Sequence, residues 1–165
     1  MKLIKSTKAD FPKIMEIINS AKKHLKDQGI NQWQQVYPNE ETIEQDFNIS
    51  KGYVLVDGDD ILAYVYIDFD IDPDYNVIEG AWKNDGNYGS LHRVAMSGKH
   101  RGKGLSENIF KLACEIGKAQ GVLSMRIDTH EDNKKMQHVL QKNGFEYCGI
   151  VYVRGLKRMS FEKII

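Results

Sequence analysis

Residues 91–129 constrain the fold of this chain more than any other segment. Residues 91–96 read as a strand, and a basic, glycine-rich turn follows it, Ser97-Gly98-Lys99-His100-Arg101-Gly102-Lys103-Gly104. The turn opens a helix over 104–120 whose Leu105, Ile109, Leu112 and Ile116 point inward at helical spacing. A second strand covers 124–129. A strand, a helix and a strand in succession form a parallel pair joined by a right-handed crossover.

The turn is itself an anion site. Backbone N–H groups in the first turn of a helix have no intrahelical partner, and the helix dipole adds partial positive charge there. Gly102 and Gly104 let the backbone approach a ligand with no Cβ in the way. Lys99, Arg101 and Lys103 add full charges. Together they describe a phosphate or pyrophosphate site. A Walker loop requires G-x-x-x-x-G-K-[ST], and the Gly98 to Gly102 spacing is one residue short of it. A dinucleotide fingerprint requires G-x-G-x-x-G, and the stretch from Gly102 ends instead on Glu107.

Around this unit the period of the sequence changes several times. A short strand over 2–5 precedes a helix that Ser6 or Thr7 caps, with Asp10 three residues after Thr7. Phe11, Ile14, Ile18, Ala21 and Leu25 line its inner face, and Gly29 ends it. A second helix runs from about 39 to 47. Strands over 53–57 and 61–69 flank a turn at Gly58-Asp59-Asp60. Residues 70–87 read as a loop with one helical turn. A helix over 133–143, with Asn133 as its cap and Gly144 at its end, precedes strands over 145–153 and 157–163 that turn at Arg154-Gly155. The expected class is α+β: one domain over 1–165 with a mixed, partly antiparallel central sheet flanked by helices.

Composition narrows the function. Lys plus Arg equals Asp plus Glu at 23 each, so there is no basic excess to support nucleic-acid binding. A small anionic ligand needs only a local positive pocket. No apolar run reaches the length of a signal peptide or a membrane span, so no membrane partner is expected. Cys114 and Cys148 lack CxxC or other metal-type spacing, so no metal is expected; two buried thiols in a reducing cytoplasm is the preferred reading.

The turn resembles the acyl-CoA-binding motif of the GCN5-related N-acetyltransferases, in which R/Q-x-x-G-x-G/A follows a strand. Arg101, Gly104 and the helix start match, while Ser106 stands where the family usually has Gly or Ala. Residues 133–145 (NKKMQHVLQKNGF) resemble the family's second motif, an Asn-capped helix ending in Gly-Phe. The match is specific from about Val94 to Phe145, and the element order along the chain agrees with the family's fold.

The resemblance implies an enzyme that transfers an acetyl group from acetyl-CoA to a primary amine by direct attack. It implies that the pantetheine arm runs along Val94 and Met96, and that strand 124–129 splays away to make room. Arg101, Gly102, Lys103, Gly104, Leu105 and Ser106 are expected to hold the pyrophosphate, with Asn133 nearby. The family's usual acid, a Tyr on the last helix, is replaced by Leu140. Either CoA leaves as thiolate or another residue serves, with Tyr147 and Tyr152, just beyond that helix, as the candidates. His92 is the candidate base, because a His takes a proton near neutrality and His92 alternates with Val94; Glu79 is a weaker candidate. Arg126, Asp128 and His130 alternate and form a polar set, as structural support or as part of the site.

In this fold the first two helices and the loop between them cover the acceptor. That loop combines Trp33 and Tyr37 with amides at Asn31, Gln32, Gln34 and Gln35, and aromatic walls with neutral polar tips suit a small-molecule amine. The alternatives are a non-catalytic acyl-CoA-binding module of the same fold and a nucleotide-binding protein outside the family. A homodimer is common among relatives of this kind.

Overall fold

The computed structural model describes Met1–Ile165. The chain forms eight strands and four α-helices: β1 (Lys2–Lys5), α1 (Phe11–Asp27), α2 (Glu40–Asn48), β2 (Gly52–Asp57), β3 (Asp60–Asp68), β4 (Glu79–Gly80), β5 (Tyr88–Met96), α3 (Leu105–Gln120), β6 (Ser124–Thr129), α4 (Lys134–Lys142), β7 (Glu146–Val153) and β8 (Leu156–Ile164). The strands belong to one mixed sheet. The residues cluster into two compact units, Met1–Ile67 with Arg93–Leu112, and Asp68–His92 with Ala113–Ile165.

In the first unit β1, β2 and β3 pair antiparallel, with Leu3 opposite Leu55 and Val54 opposite Tyr64. The cap expected from Thr7 does not form on α1; a 3-10 turn, Lys8–Asp10, precedes the helix, and there the Thr7 hydroxyl donates rather than accepts. Asp10 accepts from the backbone N–H and hydroxyl of Thr7, at 2.7 and 2.9 Å. Asn39 accepts from Thr42 N–H at 2.9 Å and so caps α2. Ile14, Ile17 and Ile18 of α1 and Ile43 of α2 pack with Val54, Tyr64 and Ala95 into one apolar cluster. These side chains fall at i, i+3, i+4 spacing, so helix formation and burial of one face are the same event.

In the second unit β5 pairs parallel with β6, from Tyr88 opposite Ser124 to Leu91 opposite Ile127. This is the parallel pair that the strand-helix-strand order required. β6 then pairs antiparallel with β8, β8 with β7, and β7 with β4. The closing hairpin turns at Arg154 and Gly155, both at positive φ (51° and 74°), as a two-residue hairpin turn of the inverse type requires.

The stretch over 70–87 holds more structure than its sequence promised. A 3-10 turn spans Pro73–Tyr75, β4 adds an edge pairing, and β5 begins at Tyr88, three residues before the expected start at Leu91. Local signals there are weak because the segment is held by tertiary contacts. Tyr75 is fully buried and packs with Tyr88, Val151 and Val153.

Candidate functional site

The glycine-rich turn leaves β5 and enters α3 inside the first unit. Ser97 N–H donates to Leu62 O at 2.8 Å, which pins the end of β5 to β3. A 3-10 turn at Gly98–His100 follows, and α3 starts at Leu105. Gly102 and Gly104 lie in the left-handed region, at φ 81° and 76°, where any L side chain is strained. A Cβ built on either would meet no atom within 4 Å. The turn therefore borders open space next to the N–H groups of a helix start. Arg101 reaches back to α1, donating to Ser20 Oγ at 3.3 Å, while Lys99 and Lys103 are exposed. Leu105 is buried and anchors the first turn of α3. An open, cationic, glycine-lined helix start accommodates a pyrophosphate without rebuilding the backbone.

β5 does not run evenly past this point. Its pairing with β6 ends at Leu91, although β5 continues to Met96 and β6 to Thr129. Arg93 lies at φ 53°, a conformation that regular strands do not use. Simple alternation is therefore broken between His92 and Val94, and the expectation that His92 faces the same side as Val94 loses its basis. Val94 and Ala95 are buried, and Met96 is half-buried.

Arg93 is tied on every side within its own unit. Its Nε and Nη2 donate to the two oxygens of Asp46 at 2.9 and 2.6 Å, its Nη1 donates to the Tyr37 hydroxyl, and its guanidinium lies 4.1 Å from the Tyr66 ring centre. Tyr64 also donates its hydroxyl to Asp46, and burial, then the Asp46 charge, push that hydroxyl far above the ordinary tyrosine range. This cluster escaped the sequence reading. One signal was available: Asp46 falls three residues after Ile43 on the inner face of α2, where a carboxylate implies a buried cationic partner.

The loop from Ile30 to Pro38 is held just as firmly. Gln32 is buried, Trp33 packs against the apolar cluster at a φ of 62°, and Gln34 donates to Lys22 O and Gln32 O. Lys22 Nζ donates to Pro38 O at 3.0 Å. Trp33 thus serves as an anchor, and Tyr37 meets Arg93.

In the second unit, residues opposite one another across a ladder share a face. Ser90 opposes Arg126 and Arg126 opposes Glu162, so His92 and Asp128, one step along on each side of the pair, lie on that same face. His92 Nε2 sits 3.1 Å from Asp72 Oδ2 and its Nδ1 sits 3.8 Å from Asp128 Oδ2. Tyr75 donates its hydroxyl to Asp128 at 2.7 Å. Burial, then the negative charge of Asp128, push the Tyr75 hydroxyl well above its usual range. Burial draws the Asp72 carboxyl upward, but the hydrogen bond and charge of His92 outweigh it, and the net direction is downward. Asp72 was missed because it lies in the poorly legible stretch. Arg126 and Asp128 share the expected face, but His130 does not join them. Its Nδ1 accepts from Asp132 N–H at 3.1 Å.

Tyr147 lies elsewhere. It opposes Phe161, which opposes Ile127, which opposes Leu91. Three inter-strand spacings, about 14 Å, separate it from β5. It also lies on the face opposite to His92, stacked edge-on against Phe161 at 5.6 Å and half-exposed. The register gives it no reach to His92. Tyr152 approaches Glu79 at 3.5 Å, on the side of β7 that pairs with β4. Leu140 is fully buried, and Asn133 caps α4 by accepting from Met136 N–H at 3.1 Å. Cys114 and Cys148 are buried free thiols.

A mixed sheet with a parallel pair, and a glycine-lined cationic helix start after a central strand, define an α+β fold with a ready-made place for an anionic ligand. The chain belongs to the acetyltransferase (GNAT) family, whose model matches residues 14–145. It is similar to a GNAT-family acetyltransferase from Streptococcus agalactiae, at 31% identity and a TM-score of 0.92, over 99% of this chain and 95% of that one. The PaiA N-acetyltransferase of Thermoplasma acidophilum, solved in complex with coenzyme A, has the same fold at 16% identity and a TM-score of 0.73, over 99% and 98%. So does the aminoglycoside acetyltransferase AAC(6')-Ib, solved with coenzyme A and kanamycin, at 14% identity and 0.72, over 99% and 94%. No curated protein matches the sequence. No helix is long and apolar enough to cross a membrane.

Proposed function

We propose that this chain is an N-acetyltransferase that moves the acetyl group of acetyl-CoA to a primary amine of a small molecule by direct attack. The observation that carries the reading is the turn at Gly102 and Gly104, whose left-handed backbone borders open space at the start of α3 beside Arg101. Membership of the acetyltransferase family supports it, as does the binding of coenzyme A by the Thermoplasma relative. Kanamycin in the complex of the aminoglycoside enzyme supports a small-molecule acceptor. Two buried free thiols suit the reducing cytoplasm.

The chemistry makes three demands. The pyrophosphate is met by the N–H groups of the turn and of Leu105 and Ser106, with Arg101 and Lys103 as counter-charges. The thioester carbonyl needs a donor at the oxygen where charge develops, and the Val94 N–H, just past the Arg93 kink, is assigned to it. The ammonium must lose a proton before its nitrogen bonds to the carbonyl carbon and the C–S bond breaks. His92 is the assigned base, and the proton it accepts meets the carboxylates of Asp72 and Asp128. With Leu140 in the core and Tyr147 on the far face, CoA leaves as thiolate, which the moderate basicity of a thiol permits.

The buried Leu140 favours a second reading, a non-catalytic acyl-CoA-binding module. A panel of small amines assayed by CoA release separates the two. Amine-dependent release is expected; tight acetyl-CoA binding with no turnover across the panel overturns catalysis. A thermal shift with NAD or ATP and none with acetyl-CoA overturns both. His92→Ala is expected to lower turnover chiefly at and above neutral pH, where an imidazole is free to accept a proton and a primary amine still arrives as ammonium. A wild-type pH profile of kcat/KM in that variant removes His92 from the mechanism.

A further inference from the structure

We propose that Asp46 and Arg93 form a positioning pair that holds β5 in the kinked backbone from which Val94 presents its N–H to the thioester oxygen. The proposal rests on the acetyl-transfer reading above and extends it to residues that touch neither substrate.

Arg93 is a non-glycine residue at φ 53° inside a strand. Such strained residues persist where the surroundings over-determine them. Here the surroundings are named. Two oxygens of Asp46 grip the guanidinium, Tyr66 stacks under it, Tyr37 accepts from it, and Tyr64 holds Asp46 in turn. The side chains of Arg93 and Asp46 are only 10% and 4% exposed. A buried ion pair adds little net stability over apolar residues of the same volume, so stability alone does not account for this one. What it does fix is position. The grip prevents Arg93 from relaxing to ordinary extended backbone, which would rotate the following peptide plane.

The consequence falls on the residues assigned to the acyl group. Just beyond the kink, Ala95 is locked into the apolar cluster of its unit and Ser97 N–H is bonded to Leu62 O. With that end of β5 pinned, the conformation at residue 93 decides where the Val94 N–H points. The same guanidinium holds Tyr37 in the loop assigned to the acceptor. One buried pair thereby sets both the acyl side and the amine side of the site.

Glycine separates this role from a structural one, because it adopts positive φ without strain and alanine does not. Arg93→Ala and Arg93→Gly are each made together with Asp46→Asn, so that the ion pair is lost equally in both. Circular dichroism checks folding, calorimetry measures acetyl-CoA affinity, and kcat is read at saturating substrates. Both variants are expected to bind acetyl-CoA almost as the wild type does. In the alanine variant kcat should fall about 100-fold, the effect of losing one oxyanion donor. The glycine variant should run at least about tenfold faster than the alanine variant, because only its backbone can keep the kink. Equal kcat in the two variants, or wild-type kcat in the alanine variant, overturns the pair while the acetyl-transfer reading stands. A wild-type protein that binds no acetyl-CoA overturns that reading and the pair with it. Where the wild type binds without turnover, the acetyl-CoA-induced shift of the Val94 amide resonance decides: kept with glycine and lost with alanine supports the pair, and equal shifts overturn it.

Discussion

Gly104→Trp is expected to abolish acetyl-CoA binding and leave the protein folded. Gly104 lies at φ 76°, so any side chain there carries left-handed strain of about 1–2 kcal/mol. That cost is a small part of the stability of a domain, and a Cβ at this position meets no protein atom within 4 Å. An indole therefore has room to enter, and the room it takes is the space assigned to the pyrophosphate. The expected loss of affinity is at least about 100-fold, or about 2.7 kcal/mol, by calorimetry. Gly104→Ala is the control, since it carries the same strain with almost no bulk. Its affinity should stay within about tenfold of wild type, or about 1.4 kcal/mol. A folded tryptophan variant with unchanged affinity would refute the loop assignment. Equal losses in both variants would assign the effect to backbone strain.

Glu162→Ala is expected to be the most damaging single change to stability. The Glu162 side chain is fully buried on β8. One oxygen accepts from Arg126 Nε at 2.9 Å, Asn84 Nδ2 at 2.8 Å and Ser124 Oγ at 2.5 Å, and the other accepts from Lys83 N–H. Removing the carboxylate strands these donors together with a guanidinium whose side chain is 6% exposed. That guanidinium lies between the rings of Trp82 and Tyr88, at 4.2 and 3.9 Å, and would keep only the bond from its Nη2 to Asn84 O, at 2.8 Å. Breaking one partner of such a pair costs about 3–5 kcal/mol. Urea unfolding measures it, and a loss below about 1 kcal/mol, the scale of an exposed pair, would contradict the buried network. Replacing both partners, as Arg126→Met with Glu162→Leu, should cost much less than Glu162→Ala alone, because no charge is left unpaired.

The two variants test different parts of what the residues made legible. The helices could be read closely, because an amphipathic period of 3.6 and a cap are local features. Asn39 and Asn133 cap α2 and α4 as their positions predicted. The glycine-rich turn was legible for the same reason, since a strand, two glycines, three cations and an apolar helix face all lie within residues 91–116. Residues 70–87 were not legible. Pro73, Trp82 and Asn84 make sense only once Trp82 covers Arg126 and Asn84 reaches Glu162, a partner 78 positions away.

The candidate site divides along the same line. The glycine-rich turn needed only neighbours in sequence. The choice of base and acid needed register. His92 drew attention as a candidate base because it alternates with Val94, but that argument assumed an unbroken strand, and Arg93 breaks it. Tyr147 was attractive for being just past α4, yet ladder pairing carries it three strands away and onto the other face.

By itself, then, the sequence determined the mixed α+β class, the parallel crossover and a cationic, glycine-lined helix start, because each follows from periodicity, glycine placement and charge over short spans. The tertiary structure decided which distant groups meet: Arg93 with Asp46 and Tyr37, His92 with Asp72 and Asp128, and Glu162 with Arg126. The physical reason is that a buried charge must find its partner wherever the packed chain brings one. That requirement acts through space, across tens of residues, and leaves no local pattern.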